Sequence, residues 1–316
     1  MTTAVILAPM EGVVDHLMRD ILSKINSFDL LVTEFIRVVD QALPDKVFFR
    51  MCPELINNGY TSNGTPVRVQ LLGQNANMLA INALRATELG SKGIDLNFGC
   101  PAKMVNRSNG GAVLLKNPEQ IYQIIRTVKS ALPASQAVTA KVRLGFDDKS
   151  QFLEIAHAVA DAGADEIAVH ARSKVDGYKP PAYWEYITEI RKALTIPVVA
   201  NGEIWSAEDA KRCTEVTGCD RLMIGRGAIS LPNLGACIKN NDAPYSWTKT
   251  LDLVLNYSQQ ELTTQKSCYY PGRIKQWFNY LNRQYPEADA LFRELRIFKD
   301  ANSIITCLKV ARDQLN

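Results

Sequence analysis

The sequence lacks the cysteine arrangements that build a disulfide framework or a zinc site. Its seven cysteines are odd in number and include no Cys-x-x-Cys pair. Such usage is typical of a reducing compartment, so we expect a cytoplasmic protein with no bound metal. No apolar run approaches the roughly 20 residues of a membrane span, and the N-terminal stretch lacks the basic region of a signal peptide. We therefore expect neither a membrane protein nor a secreted one.

The chain also has little net charge. The balance is +3 over 316 residues, with 47% hydrophobic and 22% charged residues. An average this small does not by itself indicate nucleic-acid binding, although it does not exclude a local basic face. Length and composition are those of a globular protein with one large domain, or one plus a smaller appendage, and we expect a monomer.

Short apolar runs recur at the spacing of β/α units. The predicted strands are Ala4–Leu7, Leu30–Thr33, Val67–Leu71, Gly93–Asn97, Ala137–Arg143, Glu166–His170, Val198–Asn201 and Arg221–Ile224. Helical periodicity lies between most of them, for instance over Ala76–Leu89, Pro118–Ala131, Phe152–Ala162 and Ala207–Val216. Eight strands that alternate with helices predict a (β/α)8 TIM barrel rather than a doubly wound sheet.

After Ile229 the pattern changes. Residues 240–244 have the composition of a linker, and the remainder is helical with no strand run. We therefore predict a catalytic barrel over residues 1–240 and a small all-helical domain over residues 241–316. The long connection over residues 34–66 holds Pro44, Pro53, Gly59 and Gly64, and a loop of this length is usually functional or mobile.

Cys100 is the most informative residue. It lies between Gly99 and Pro101, directly after a short buried strand, where the carboxyl ends of parallel strands carry chemistry. A structural cysteine usually hides on an apolar face, so this placement favours a reacting thiol. The alternative is a small residue packed under a turn.

Two glycine-containing loops follow strands seven and eight, the usual phosphate site of such barrels. They are Asn201-Gly202-Glu203 and Gly225-Arg226-Gly227-Ala228. Glycines let backbone N–H groups approach phosphate oxygens, and Arg226 can add a charge-assisted contact. The second loop is not a dinucleotide fingerprint, because it follows the last strand and lacks the third glycine and the distant acid. Ordinary glycine turns are the alternative.

Polar residues also occupy strand ends where a packed core would favour Val or Ile. They are Gln70, Lys141, Arg143, His170 and Arg172. A buried lysine is costly unless an anion compensates it. A flavin ring or a phosphate would do so for Lys141, while a Schiff base and a strand-end salt bridge are the alternatives. His170 alone could be a core histidine, but in this company a ligand role is favoured.

The tail contains a basic and aromatic segment from Lys266 to Arg283 with four basic residues and no acidic one. Basic residues neutralise phosphates, while aromatic rings stack on unpaired bases. The alternative is that Trp277 and Tyr280 belong to the core. Residues 241–316 hold ten Lys/Arg against eight Asp/Glu, so any basic face is local.

With these pieces together, the chain resembles the tRNA-dihydrouridine synthases along its whole length. The resemblance is carried by Ala8-Pro9-Met10-Glu11-Gly12-Val13, Thr33-Glu34-Phe35, Gln70-Leu71-Leu72-Gly73, Asp95-Leu96-Asn97-Phe98-Gly99-Cys100-Pro101, Lys141-Val142-Arg143, His170-Ala171-Arg172, Ala200-Asn201-Gly202-Glu203-Ile204 and Ile224-Gly225-Arg226-Gly227. Arg273-Ile274-Lys275-Gln276-Trp277 and the short tail resemble the bacterial C-type members, which reduce uridine 16 of the D-loop. Some relatives have a second cysteine where this chain has Phe98.

The resemblance implies a flavoprotein that binds tRNA through its helical domain. FMN would be held by Pro9, Met10, Gln70, Lys141, His170, Asn201, Gly202, Glu203, Gly225 and Arg226. Cys100 matches the general acid, and Asn97 would lie beside the substrate base. Candidates for tRNA contact are Arg37, Tyr178, Arg273, Lys275 and Arg296.

The implied reaction begins with reduction of FMN by NADPH. Hydride would pass from flavin N5 to carbon 6 of the flipped uracil, while Cys100 donates a proton to carbon 5. The thiol must then be neutral rather than shifted toward thiolate. Rival hypotheses are a barrel flavoenzyme acting on a free pyrimidine, as dihydroorotate dehydrogenases do, a flavin-free Schiff-base aldolase or isomerase, and an RNA-binding protein with an inert barrel.

Overall fold

The structure is a computed structural model that describes residues 3–264 and 267–315. Within these residues eight parallel strands close into a barrel in which each strand pairs with the next and the last pairs with the first. The strands are β1 (Ala4–Leu7), β2 (Leu30–Arg37), β3 (Val67–Leu72), β4 (Ile94–Asn97), β5 (Val138–Arg143), β6 (Glu166–His170), β7 (Val198–Asn201) and β8 (Arg221–Ile224). The predicted TIM barrel is confirmed.

Helices surround the barrel and continue after it. In the barrel part they are α1 (His16–Ile25), α2 (Asp45–Met51), α3 (Ala76–Glu88), α4 (Lys103–Arg107), α5 (Pro118–Ala131), α6 (Phe152–Asp161), α7 (Trp184–Ala193), α8 (Ala207–Thr217), α9 (Arg226–Ser230) and α10 (Leu234–Asn240). The tail holds α11 (Trp247–Leu262), α12 (Tyr270–Leu281), α13 (Pro286–Leu295) and α14 (Ala301–Asp313). Short 3-10 helices cover Pro53–Asn57, Gly111–Lys116 and Ser267–Tyr269. No described helix is both long and apolar enough to cross a membrane.

Strand β2 extends beyond its predicted end at Thr33. The polar Glu34 interrupts the apolar run, which is why the sequence pattern stops there. In the structure the pairing of β2 with β3 shifts register between Val32 and Phe35 and then continues to Arg37. At this irregularity the Thr33 hydroxyl accepts a hydrogen bond from the backbone N–H of Gln70. A bulge of this kind re-aims side chains near the mouth of a barrel.

The inside of the barrel is partly apolar. Ile6, Ala8, Val32, Ala168, Val199 and Met223 form a small cluster separate from the main core between sheet and helices. Side chains alternate along a strand, so residues two positions further on point to the same side. His170 and Asn201 follow Ala168 and Val199 at this spacing and therefore face inward at the carboxyl mouth.

The tail helices pack on the same end of the barrel through buried contacts. The Trp277 indole N–H donates to the carbonyl of Ile229, at 3.1 Å, and its side chain is 2% exposed. The Ser230 hydroxyl donates to the carbonyl of Tyr280, at 2.7 Å. For Trp277 the core alternative is therefore the right one. The predicted division of the chain at residue 241 stays a prediction, and Lys266 lies outside the described residues.

Candidate active site

A cavity of about 780 Å³ opens at the carboxyl mouth of the barrel. All ten residues predicted to hold a flavin line it, together with Cys100, Asn97 and Tyr178. The other predicted RNA contacts, Arg37, Arg273, Lys275 and Arg296, are not part of its lining. Since residues of seven strands, β2 to β8, contribute to the wall, this convergence arises from barrel closure rather than from any local motif.

Cys100 lies in a loop whose backbone is held from two sides. Its amide and that of Gly99 both donate to the Asn97 side-chain oxygen, at 2.9 Å each. The Cys100 carbonyl accepts from the Asn106 side-chain amide and from the backbone amide of Ala112, at 3.0 Å each. The thiol is half-buried, and this burial raises its pKa. This direction agrees with the neutral thiol expected from the sequence, which stays a prediction.

Gly111 allows the chain to return close to Cys100. It has a φ of +66°, and a Cβ built on it would lie 2.9 Å from the Cys100 carbonyl oxygen. Any side chain there would push against backbone, so only glycine fits without displacing the loop. The glycines beyond Cys100 in the sequence thus shape the loop that positions the thiol.

Lys141 projects from β5 into the cavity. Its ammonium donates to the Asn201 side-chain oxygen at 3.1 Å, and none of the ion pairs among the described residues includes it. Burial, with Arg143 nearby, lowers the pKa of Lys141 to about 8. A desolvated cation whose polar partner is a neutral amide is suited to bind an anion.

His170 is buried among cations. Burial, reinforced by Arg143 and Lys141, lowers its pKa well below the ordinary value. The Arg172 Nη1 group lies 3.2 Å from His170 Nε2, and a guanidinium can only donate. Nε2 therefore accepts this bond, and the neutral ring carries its proton on Nδ1. The neutral His170 ring, which lines the cavity, therefore has its Nδ1–H group as a hydrogen-bond donor.

Glu203, in the loop after β7, holds two cations from the neighbouring loops. Its Oε1 forms an ion pair with Arg172 at 2.8 Å and accepts a hydrogen bond from Arg226 at 3.2 Å, while its Oε2 accepts from the Trp205 indole at 3.2 Å. Burial raises the pKa of Glu203, but the combined effect of Arg172, Trp205 and Arg226 is greater, and the pKa is lowered. Glu203 is thus an ionised carboxylate that holds Arg226 beside the two glycine loops.

The two predicted glycine loops form a narrow cradle. Gly202 has a φ of +121°, and a Cβ on it would meet the His170 ring at 3.0 Å. A Cβ on Gly225 would lie 3.1 Å from the Met10 sulfur, and one on Gly227 would lie 2.1 Å from the Ile204 carbonyl oxygen. The absence of side chains leaves backbone exposed where a phosphate needs a close approach.

Guanidinium groups and aromatic rings alternate along one side of the mouth. Arg143 stacks on the Tyr178 ring at 5.1 Å, and Arg226 lies between Tyr178 and Trp205, at 4.7 and 4.9 Å from their centroids. Arg283, just after α12, lies over the Trp205 ring at 3.7 Å from its centroid. We call these five residues the cation–aromatic stack. It connects the cavity to the tail, and its member Tyr178 is 52% exposed.

Sequence reasoning missed Trp205 as part of the site and used Arg143, Arg172 and Arg283 only as members of motifs or of a basic segment. Trp205 follows the glycine loop after β7, and this position is the one local indication of its role. Among the described residues, no group of three or more His, Cys, Asp or Glu side chains could hold a metal ion.

The remaining predicted RNA contacts have varied surroundings. Arg37 is exposed and donates to the Ser108 hydroxyl beside the Cys100 loop. Lys275 donates to the carbonyl of Phe298, and Arg296 is exposed just after α13. Arg273 instead joins the tail to the barrel, because its Nη1 lies 2.5 Å from Asp15, the residue that caps α1.

Replacing Arg273 by alanine is expected to destabilise the protein. Its partners Asp15 and Glu261 have side chains 7% and 1% exposed, so the change leaves two buried carboxylates without this cation. Breaking such a pair costs about 3–5 kcal/mol, which lowers the melting temperature by several degrees. Thermal unfolding measures the effect. The control is Arg293→Ala, whose pair with Asp289 is exposed and should contribute little. Equal melting temperatures for the two variants would contradict the conclusion that the Arg273 ion pairs stabilise the packing of the tail on the barrel.

Comparisons with known proteins agree with one another. The protein family described as Dihydrouridine synthase (Dus) matches residues 6–308. A Shewanella oneidensis protein named tRNA-dihydrouridine(16) synthase is 69% identical over 312 residues, which cover 99% of this chain and 99% of the relative. A Vibrio parahaemolyticus protein of the same name is 54% identical over 98% of this chain and 97% of its own length.

Solved structures show the fold alone. A variant of NCR from Zymomonas mobilis superimposes with a TM-score of 0.52 and 14% identity over 77% of this chain and 88% of its own. A morphinone reductase variant in complex with tetrahydroNAD gives a TM-score of 0.52 and 11% identity over the same shares of the two chains.

Proposed function

Because the chain belongs to the dihydrouridine synthase family, we propose that it reduces uridine in tRNA to 5,6-dihydrouridine, at position 16 of the D-loop. One observation carries the proposal: a half-buried thiol, a half-buried lysine and a glycine cradle line one cavity at the barrel mouth. The cradle suits a phosphate-bearing redox cofactor, and the thiol would supply the proton.

The residues present fit FMN. Gly202, Gly225 and Gly227 leave backbone open to a phosphate, and Arg226 supplies a cation directed there by Glu203. Lys141 is a half-buried cation whose hydrogen-bond acceptor is the neutral amide of Asn201, which suits the polar edge of a flavin or its phosphate. When bound and reduced by NADPH, FMN would supply the hydride for carbon 6 of the uracil.

The protein's own contribution to the chemistry is the proton. Cys100 is held in place through its backbone by Asn97, and burial keeps its thiol protonated at neutral pH. A neutral thiol near carbon 5 can donate a proton as the carbanion develops there, and general acids of this kind accelerate reactions by about 10²–10⁴-fold. The remaining side chains orient the base and exclude water.

RNA would approach across the cation–aromatic stack. Exposed Tyr178 offers a face to an unpaired base, and Arg283 and Arg37 lie where phosphates could contact them. Lys275 and Arg296 extend this basic surface over the tail. The target base must leave its own stack at a cost of a few kcal/mol, roughly, which stacking on the protein offsets.

We further propose that the protein is a monomer acting in the cytoplasm. All seven cysteines are free thiols, four of them buried, which fits a reducing compartment.

The deciding experiment incubates purified protein and NADPH with tRNA from cells that lack dihydrouridine and then maps the reduced positions. We expect dihydrouridine at position 16 alone, and tRNA that already carries the modification is the control. Reduction at another position would keep the reaction and overturn the position. Failure of flavin-loaded protein to reduce tRNA, with turnover of a free pyrimidine, would overturn the proposal. Protein without flavin absorbance would favour Schiff-base chemistry at Lys141.

A further inference from the structure

A chain of four buried polar side chains crosses the barrel interior beneath Cys100. Thr139 Oγ1 donates to Asp95 Oδ1 at 2.6 Å, and Gln70 Nε2 donates to Asp95 Oδ2 at 2.7 Å. Asn97 Nδ2 then donates to Gln70 Oε1 at 2.8 Å. These side chains are 0–8% exposed. The chain ends where Asn97 Oδ1 accepts from the amides of Gly99 and Cys100.

The direction of each hydrogen bond in this chain follows from its two ends. Burial raises the pKa of Asp95, while hydrogen bonds from Gln70 and Thr139 and the charges of Arg68 and Lys141 act in the opposite direction. In its ionised form the carboxylate only accepts, so Asp95 then requires the NH₂ group of Gln70. The side-chain oxygen of Gln70 must then face Asn97, and the Asn97 NH₂ group must donate a hydrogen bond to it. Its oxygen is left for the two loop amides, which can only donate. Only one orientation of the Gln70 and Asn97 side-chain amides gives every group in the chain a hydrogen-bond partner.

Asp95 is the one member of this chain whose chemistry allows no reversal. Gln70 and Asn97 can each present either end, and the Thr139 hydroxyl can both donate and accept. Arg68 donates to Thr139 Oγ1 at 3.2 Å, so the hydroxyl proton of Thr139 is available to Asp95. A neutral group in place of the carboxylate would permit both arrangements of the amides, and the reversed one removes the acceptor for Gly99 and Cys100.

We propose that Asp95 is a positioning residue that holds the Cys100 loop in its reactive geometry through Gln70 and Asn97. Asp95 lies beneath the loop and acts through the orientation of two amide groups. The consequence for turnover rests on the proposed function, whereas the consequence for the loop backbone does not.

The barrel offers a matched control in Glu166. It is also an interior carboxylate, 7% exposed, and it accepts from Arg221 at 2.6 Å with Arg68 at 3.6 Å. Its hydrogen bond comes from Arg221 at the amino ends of the strands, and its link to the polar chain is Arg68, which also donates to Thr139, rather than Gln70 or Asn97. Loss of its charge tests what removal of an interior carboxylate does when Gln70 and Asn97 keep their partners.

The test compares Asp95→Asn with Glu166→Gln in the full-length protein. Amide hydrogen exchange, read by mass spectrometry on peptides spanning residues 97–101, reports on the loop. Loss of one hydrogen bond of ordinary strength should speed exchange at Gly99 and Cys100 by about 10-fold in Asp95→Asn and leave it unchanged in Glu166→Gln. On tRNA, Asp95→Asn should lower kcat by roughly 10- to 100-fold at unchanged KM, because the thiol is misplaced while binding surfaces are intact.

A second variant tests the direction of the bonds rather than the presence of a charge. In Asp95→Asn/Gln70→Glu the carboxylate moves one step along the chain, where it can accept from both Asn97 and the new amide. We expect slow exchange at Gly99 and Cys100 to return. Fast exchange in the double variant, or wild-type exchange in Asp95→Asn, would overturn the inference, as would a kcat for Asp95→Asn equal to that of Glu166→Gln. If the wild-type protein reduced no uridine, the proposed function would fail and the exchange measurements would still decide whether Asp95 holds the loop.

Discussion

Cys100→Ala is expected to lower the rate of uridine reduction in tRNA by about 10²–10⁴-fold, the range that a general acid contributes. The loop should keep its shape, because its hydrogen bonds involve the backbone of Cys100 and not the sulfur. Affinity for FMN and for tRNA should therefore change little. Single-turnover reduction of tRNA by the pre-reduced enzyme measures the chemical step directly.

The matched control is Cys268→Ala, which removes an exposed thiol outside the cavity lining. It should reduce tRNA at the wild-type rate. Wild-type turnover by Cys100→Ala would remove the thiol from the reaction, and loss of FMN by that variant would show that the cysteine holds the cofactor site instead.

Alkylation of Cys100 provides an independent measure of its protonation. Burial raises the pKa of this thiol, so its thiolate fraction at pH 7 should be below that of a free cysteine, whose pKa is about 8.5. The iodoacetamide reaction of the Cys100 peptide should rise with pH along a curve whose midpoint exceeds that value. A midpoint below it would mean that Cys100 is stored as a thiolate, which cannot donate the proton.

Lys141→Met is expected to weaken FMN binding by roughly 10- to 100-fold, the effect of one hydrogen bond to a charged group. Methionine keeps most of the volume of lysine, so the cavity wall should remain packed. Flavin release by the purified variant, measured by fluorescence, gives the affinity. The control Lys24→Met removes an exposed lysine paired with Asp20 on α1, and it should retain wild-type affinity.

The same lysine predicts how FMN affinity depends on pH. Because burial lowers the pKa of Lys141 to about 8, the free protein loses this charge as pH rises through that value. An anionic ligand stabilises the charged form and so raises the pKa in the complex. Affinity should therefore be constant below pH 8 and fall above it, by up to about tenfold per pH unit, until the pKa of the complex is reached.

Lys141→Met should remove this alkaline decline, since it has no group to titrate. Lys141→Arg should remove it too, because arginine stays charged throughout this range. A flat profile in the wild-type protein, with unchanged affinity in Lys141→Met, would exclude Lys141 from the flavin site.

Much of the fold was predictable because it depends on local periodicity. Apolar runs at β/α spacing indicated the eight strands, and a glycine, a residue type that commonly ends helices, lies within two residues of the end of α3, α6 and α8. Gly90, Gly163 and Gly218 all adopt positive φ angles in the structure. The pattern failed at β2, because a strand that continues through a bulge with Glu34 inside it has no clean alternation to detect.

The location of the candidate site was predictable for a different reason. In a closed parallel barrel all strand ends meet at one mouth, so residues that follow different strands must converge there. Cys100, Lys141 and His170 are far apart in sequence and line one cavity. The tail was less predictable, because a basic and aromatic helix has the same composition whether its rings face RNA or a core, and Trp277 faces the core.

The sequence by itself determined the barrel, its mouth and the residue types gathered there. These features follow from the periodicity of apolar residues, the order of the strands and the positions of glycines. Only the tertiary structure decided the partners of each polar group. Arg273 pairs with Asp15, 258 positions away, and Gln70 donates a hydrogen bond to Asp95 on the neighbouring strand. Such pairs depend on strand register and helix packing, which no local pattern encodes. The pKa of Lys141 likewise depends on burial by surrounding strands, so its chemistry exists only in the folded protein.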